Sequence, residues 1–168
     1  MVKKIYIMGC PGSGKTTLAR KLAREYKISF YELDKIVWDD DNHVKREKDD
    51  ISNRFHKILR KKSWIIEDVG RNSFIDGRVE ADIIYYIKIS KIRAYCRILK
   101  RWIRQKIGKE EYSYPPSLRQ LFYYLSIVHS YFKKKKKKLK ELESYPDKVR
   151  YLSTKDLKYF STTKKSMI

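Results

Sequence analysis

Eight consecutive residues constrain this chain more than any other stretch: Gly9-Cys10-Pro11-Gly12-Ser13-Gly14-Lys15-Thr16. Before them, Lys3-Lys4-Ile5-Tyr6-Ile7-Met8 is a short apolar run rich in β-branched and aromatic residues, which predicts a buried strand. After them, Thr17 to Tyr26 set Leu18, Ala19, Leu22, Ala23 and Tyr26 on one helical face. Strand, glycine-rich loop, helix is the context in which Gly-x-x-x-x-Gly-Lys-Thr acquires chemical meaning. Gly9, Gly12 and Gly14 lack a Cβ, so the loop can wrap with its backbone N–H groups pointing inward. Together with the positive end of the following helix, those groups make an anion cradle. Lys15 can then reach the β- and γ-phosphates of a nucleotide, and the Thr16 hydroxyl can ligate Mg²⁺. A turn that merely joined strand to helix would not need Lys-Thr after its last glycine.

Downstream, Ser29 to Asp34 reads as a second strand ending in carboxylates, followed by a polar, irregular stretch punctuated by Asp39-Asp40-Asp41-Asn42. Ile51, Phe55, Ile58 and Leu59 recur at helical spacing, and Trp64 to Val69 reads as a third strand ending in Glu67-Asp68. Asp82 to Ile89 is a nearly continuous apolar run of the kind found in parallel strands covered on both faces. A basic helix is predicted over about 92–107, a break at Tyr114-Pro115-Pro116-Ser117 with Ser117 as N-cap, and a long helix from Leu118 to about Leu142. Val149 to Leu152 supplies a fifth strand, Ser153-Thr154-Lys155-Asp156 a capping pattern, and the tail 161–168 is expected to fray. Strands alternating with helices predict an α/β fold with a parallel sheet, whose ligands gather at the carboxyl ends of the strands.

At 168 residues the chain is expected to form one domain with a sizeable core. No apolar run is long enough for a membrane span, and the N-terminus runs straight into the first strand, leaving no room for a signal peptide. Two cysteines, Cys10 and Cys96, make no disulfide framework, so a reduced, cytoplasmic protein is expected. The formal net charge of +21 is a first signature of nucleic-acid contact, with which an enzyme handling several phosphates and a lysine-biased proteome compete as causes. His43, His56 and His129 are scattered and show no metal-ligand spacing.

With these residues in view, the chain resembles P-loop proteins of the nucleoside-monophosphate-kinase type. Among them it is most similar to the adenylate-kinase-like group known as DNA topology modulation (FlaR-type) proteins. The resemblance is carried by Ile7 to Thr17, Tyr31-Glu32-Leu33-Asp34 with Trp38 behind it, Trp64-Ile65-Ile66-Glu67, Ala81-Asp82-Ile83-Ile84 and Arg97-Ile98-Leu99-Lys100-Arg101. It implies a three-layer α/β/α sandwich on a five-stranded parallel sheet, with an acceptor-side helical segment at about 35–62 and a helical lid at about 102–138.

The resemblance also implies ATP and Mg²⁺ as ligands, with Gly9, Pro11, Gly12, Ser13, Gly14, Lys15, Thr16 and Thr17 cradling phosphate. Arg97 lies against the adenine and Arg101 contacts the phosphates; Thr16 holds the metal with Glu67 or Asp68, since the glycine that usually follows the strand-three carboxylate is replaced by Asp68. Arg71 corresponds to the arginine that grips the acceptor phosphate. The adenylate-kinase acceptor segment Thr-Gly-Asp-Met-Leu-Arg is missing, and so is the Asp-x-Pro after strand four.

Phosphoryl transfer demands charge neutralisation more than covalent chemistry, and Lys15, Mg²⁺ and mobile arginines supply it. Arg97, Arg101 and Arg104 fall on neighbouring turns of one helix and can converge on a ligand, although a solvated face suits Arg104 better. Asp34 can bind metal-linked water, orient an acceptor hydroxyl, act as a general base, or simply cap the next helix. Arg46, Arg54 and the run Lys133 to Lys138 read as solvated surface charge. The expected function is transfer of the ATP γ-phosphoryl group to a small acceptor, a nucleotide being one candidate, by a monomer. The alternatives are a nucleic-acid-associated ATP-binding protein of topology-modulation type, or a nucleotide binder with weak ATPase activity.

Overall fold

The structure, a computed structural model, describes residues 2–39, 44–110 and 116–160. The break at Tyr114-Pro115, the run Asp40 to Asn42, His43 and the tail from Ser161 lie outside the described residues.

The apolar run before the glycine loop is β1 (Lys4–Gly9). With β2 (Phe30–Glu32), β5 (Trp64–Asp68), β6 (Ile83–Lys88) and β7 (Val149–Ser153) it builds a sheet in the order β2-β5-β1-β6-β7. Every neighbouring pair is parallel. β1 therefore sits at the centre and delivers the loop to the middle of the carboxyl edge, with Ile7 beside Glu67 and Met8 beside Asp68.

Alternation along each strand sends successive side chains to opposite faces. Ile5, Ile7, Ile65, Tyr85 and Ile87 pack on Leu18, Ala19 and Leu22 of α1 (Lys15–Tyr26). Tyr6, Met8, Trp64, Ile66, Ile84 and Tyr86 pack on the other side, against Leu33 and Val37 of α2 (Leu33–Val37), Ile51 and Phe55 of α3 (Lys48–Leu59), and Leu142 of α6 (Leu118–Leu142). Burying leucines such as Leu18 and Leu22, both sealed from solvent, contributes about 2 kcal/mol each. The result is the expected three-layer α/β/α sandwich.

Several bounds follow from local chemistry. Ser90 and Ser117 cap α5 (Lys91–Lys106) and α6, each accepting a backbone N–H three residues on, at 3.3 and 3.1 Å. Ser153 and Asp156 bond reciprocally, Asp156 Oδ2 accepting from the Ser153 N–H at 2.6 Å and Ser153 Oγ from the Asp156 N–H at 3.3 Å, and α7 (Asp156–Tyr159) follows. The segment after β5 is a 3₁₀ turn (Asn72–Phe74) leading into α4 (Ile75–Glu80).

The second strand is shorter than the sequence suggests. It stops at Glu32, because Leu33 and Val37, one turn apart, bury together in α2 rather than alternating along the sheet. Beyond α2, β3 (Trp38–Asp39) and β4 (Val44–Lys45) pair antiparallel where irregular chain was expected. No described helix is long and apolar enough to cross a membrane.

Candidate active site

The loop after β1 is shaped by its glycines. Gly12 and Gly14 adopt φ of 75° and 102°, left-handed values that a side chain would strain. Gly14 is also the N-cap of α1, which starts with no side-chain cap and no acidic residue in its first turn, so the positive end of the helix is left to an external anion. Ser13 Oγ is sealed inside the loop and has no hydrogen-bond partner among the described residues. The Lys15 ammonium donates to the Cys10 carbonyl at 3.3 Å. Burial pushes the Cys10 thiol up to about 12, which keeps it neutral in the cradle.

Thr16 and Glu67 meet across the sheet edge: the threonine hydroxyl donates to Glu67 Oε1 and Oε2 at 2.9 and 3.0 Å. Burial raises the Glu67 carboxyl above its ordinary value, Lys15 and the Thr16 hydroxyl pulling it back down, and Glu32 and Asp34 adding to the rise. A buried carboxylate held against a threonine hydroxyl at the glycine loop fits a hard, oxygen-seeking dication. The pair therefore suits Mg²⁺, although no cluster of three or more acidic, histidine or cysteine ligands occurs among the described residues.

Asp68, the next residue, faces the other way. Its Oδ1 accepts from Arg71 Nη1 and its Oδ2 from the Arg71 backbone N–H, both at 2.5 Å, with the Tyr6 hydroxyl at 3.4 Å. Arg71 Nη2 also pairs with Asp34, which extends into solvent from the first turn of α2. Burial lowers the Arg71 guanidinium, but Asp68 and Asp34 more than offset that and hold it firmly charged. Asp34 thus serves Arg71 rather than capping a helix. The N-cap position of α2 belongs to Glu32.

The arginines of α5 go to separate places. Arg97 Nη1 donates to the Gly12 and Ser13 carbonyls, both at 3.1 Å, which sets its guanidinium on the loop itself. Arg101 lies over the ring of Tyr124 on α6, 5.1 Å from the centroid, and Arg104 pairs with Glu110 at 3.5 Å. Arg46 and Arg54 are engaged with Asp39 and Asp50.

Two residues escape the sequence reading. Arg78, 1% exposed, donates to the Arg71 carbonyl at 3.0 Å and so fixes the backbone that carries the Arg71 guanidinium. Lys138 turns inward from the lysine run and donates to the Gly70 carbonyl, and burial lowers its ammonium. Its signal was present as spacing: Val128, Tyr131, Lys135, Lys138 and Leu142 continue one helical face, and the two lysines on it are the part-buried ones of the run.

The family described as an AAA domain matches residues 5–114. Shikimate kinases of Legionella pneumophila (strains Corby and Lens) are 42% identical over 36 residues, which is 21% of this chain and 21% of theirs, so the match spans about a fifth of the length of these curated relatives. Among solved structures, a gluconokinase from Sinorhizobium meliloti 1021 superposes with a TM-score of 0.55 at 13% identity, over 90% of this chain and 82% of that one. A shikimate kinase from Bacteroides thetaiotaomicron gives 0.53 at 14% identity, over 90% and 86%. At that identity the likeness is one of fold.

Proposed function

The chain belongs to the AAA-domain family of P-loop proteins matched over residues 5–114, and on that premise we propose that it transfers the γ-phosphoryl group of ATP to a small acceptor. The observation that carries the reading is the Thr16–Glu67 pair beside Lys15, at the mouth of a loop whose Gly12 and Gly14 take left-handed backbone conformations. The kinases named above act on small molecules, which agrees with an acceptor of that size. Thr16 and Glu67 would hold Mg²⁺, which when bound neutralises charge on the phosphate oxygens. Lys15 binds the β- and γ-phosphates, and the loop N–H groups and α1 terminus orient them.

On the other side of β5, Asp34 orients the acceptor hydroxyl and Arg71 grips an anionic group of the acceptor, held in place by Asp68 and Arg78. In the transfer, the acceptor hydroxyl gives its proton to the exposed Asp34 carboxylate as its oxygen bonds to the γ-phosphorus, the bond to the β–γ bridging oxygen breaks, and ADP leaves. Arg97 is already at the loop, and Arg101 would swing from Tyr124 to the phosphates as the α5–α6 lid closes.

Calorimetry of ATP with and without Mg²⁺, followed by ADP release in the presence of small hydroxylated acceptors, nucleoside monophosphates or duplex DNA, tests the proposal. Mg²⁺-dependent ATP binding with acceptor-stimulated ADP release is expected. No ATP binding would overturn it, and stimulation by DNA alone would replace it with the nucleic-acid-associated alternative.

A further inference from the structure

The α5–α6 pair turns one side to the glycine loop and leaves an apolar side uncovered. The helices run antiparallel, with Trp102 bonded to the Ser117 carbonyl at one end and Lys91 near His129 at the other. On α5, Ile92, Cys96, Leu99 and Ile103 recur at spacings that share a face; on α6, Leu118, Phe122 and Leu125 do the same. Ile92 and Phe122 are 75% and 67% exposed. Between the stripes, Tyr95, Cys96, Leu99 and Leu125 line a hollow of about 410 Å³. A contiguous apolar face of this kind on a chain so highly charged marks an interaction surface.

Charge narrows the occupant. Neither α5 nor α6 before Glu141 contains a single aspartate or glutamate. Basic residues such as Arg93 and Lys100 on α5 and Arg119 on α6 occupy exposed positions beside the stripes. A second copy would bring the same positive rim against itself. A bilayer offers no ridge to fill the shallow, open hollow between the stripes, whereas a helix does. A nucleic-acid backbone gains nothing from an aliphatic floor. What matches both the hollow and the rim is an amphipathic helix with apolar anchors on one face and acidic residues flanking them. From Ile92 to Ile103 the stripe runs roughly 16 Å, the length of a three-turn helix.

We propose that the outer α5–α6 groove docks an acidic amphipathic helix of a protein partner. It uses none of the loop or acceptor residues and stands whether or not the chain proves to be a kinase.

Cys96 provides the readout, because it lines the groove while Cys10 is 1% exposed. The probe is a peptide of about five turns with leucines at helical spacing and flanking glutamates, against a twin with lysines in their place. The glutamate peptide is expected to slow maleimide labelling of Cys96 by about tenfold at saturation, with protection falling as salt rises. Phe122→Glu, at an exposed position, and Leu99→Glu should each abolish protection while leaving ATP affinity and the circular dichroism spectrum unchanged. Equal protection by both peptides would overturn the proposal. So would self-protection growing with protein concentration, or stronger protection by phosphatidylglycerol vesicles or duplex DNA.

Discussion

Glu67 and Asp68 are neighbours on β5 and serve opposite faces of the sheet, Glu67 bonded to Thr16 beside the glycine loop and Asp68 locked to Arg71 on the far face. Side-chain alternation in a strand makes this unavoidable. Two adjacent carboxylates at one strand end are therefore divided between two tasks, and the sequence question of which of them faces the metal becomes a question of sheet geometry. On that geometry Glu67 is the carboxylate that the proposed Mg²⁺ would use.

Glu67→Gln separates its two roles. Burial holds the Glu67 carboxyl above its unfolded value, so the folded protein binds that proton more tightly. The stability this provides is present at low pH and is lost as pH rises through the raised value. Neutral glutamine removes the loss, so ligand-free Glu67→Gln should be at least as stable as the parent at pH 7, with a flatter dependence of melting temperature on pH in the weakly acidic range. Mg²⁺-dependent ATP affinity should fall by about 10–100-fold. A variant less stable at pH 7 that keeps its Mg²⁺ dependence contradicts the assignment.

Arg71 and Asp34 should behave unequally. Removing Arg71 strands the Asp68 carboxylate, which lies 3% exposed, so Arg71→Ala should cost about 3 kcal/mol or more in denaturant unfolding. The Asp34 side chain is 65% exposed, and Asp34→Asn should cost under about 1 kcal/mol while slowing acceptor-stimulated ADP release. Equal stability costs for the two variants would show that the network is not organised around Asp68.

Lys15→Ala should leave the fold intact, because the only polar contact of its ammonium among those described is with the Cys10 carbonyl. Loss of one charge-assisted phosphate contact should weaken ATP by roughly 10–100-fold at unchanged melting temperature. Unchanged affinity would remove lysine, and with it the loop, from nucleotide binding.

If the +21 charge serves small phosphorylated ligands rather than nucleic acid, duplex DNA should bind only non-specifically. The expected Kd is on the order of 10⁻⁴–10⁻⁶ M at physiological salt. Submicromolar binding that ATP·Mg²⁺ alters severalfold, in a salt titration, would make the basic surface a DNA site. Glutamine at Lys133 to Lys138 would then show whether the run is the contact.

Much of this is legible in the amino-acid sequence. The glycine loop, the continuous apolar run of β6 and the span of α6 announce themselves, because motif, two-sided burial and long helical periodicity are local signals. What escaped depends on tertiary partners. Leu33 reads equally well as strand or helix until Val37 joins it in the core. Lys138 looks like one of six solvated lysines until α6 is laid against Gly70. Arg97, Arg101 and Arg104 share a helix, but their destinations are set by the loop, by Tyr124 and by Glu110, none of which helical spacing can reveal.

The bond from the Trp102 indole to the Ser117 carbonyl, 3.0 Å long, sits where α5 and α6 meet. Trp64 is fully sealed within the sheet, and Trp38, at the end of α2, rests half-buried against the core that holds Leu33 and Val37. The chain thus carries three indoles in three optical environments: a constant reference in the core, one at the end of α2 and one at the joint of the helical pair. Any opening or closing of that joint changes the wavelength and quenching of Trp102 emission, so the molecule reports its own motion in a fluorimeter without a dye.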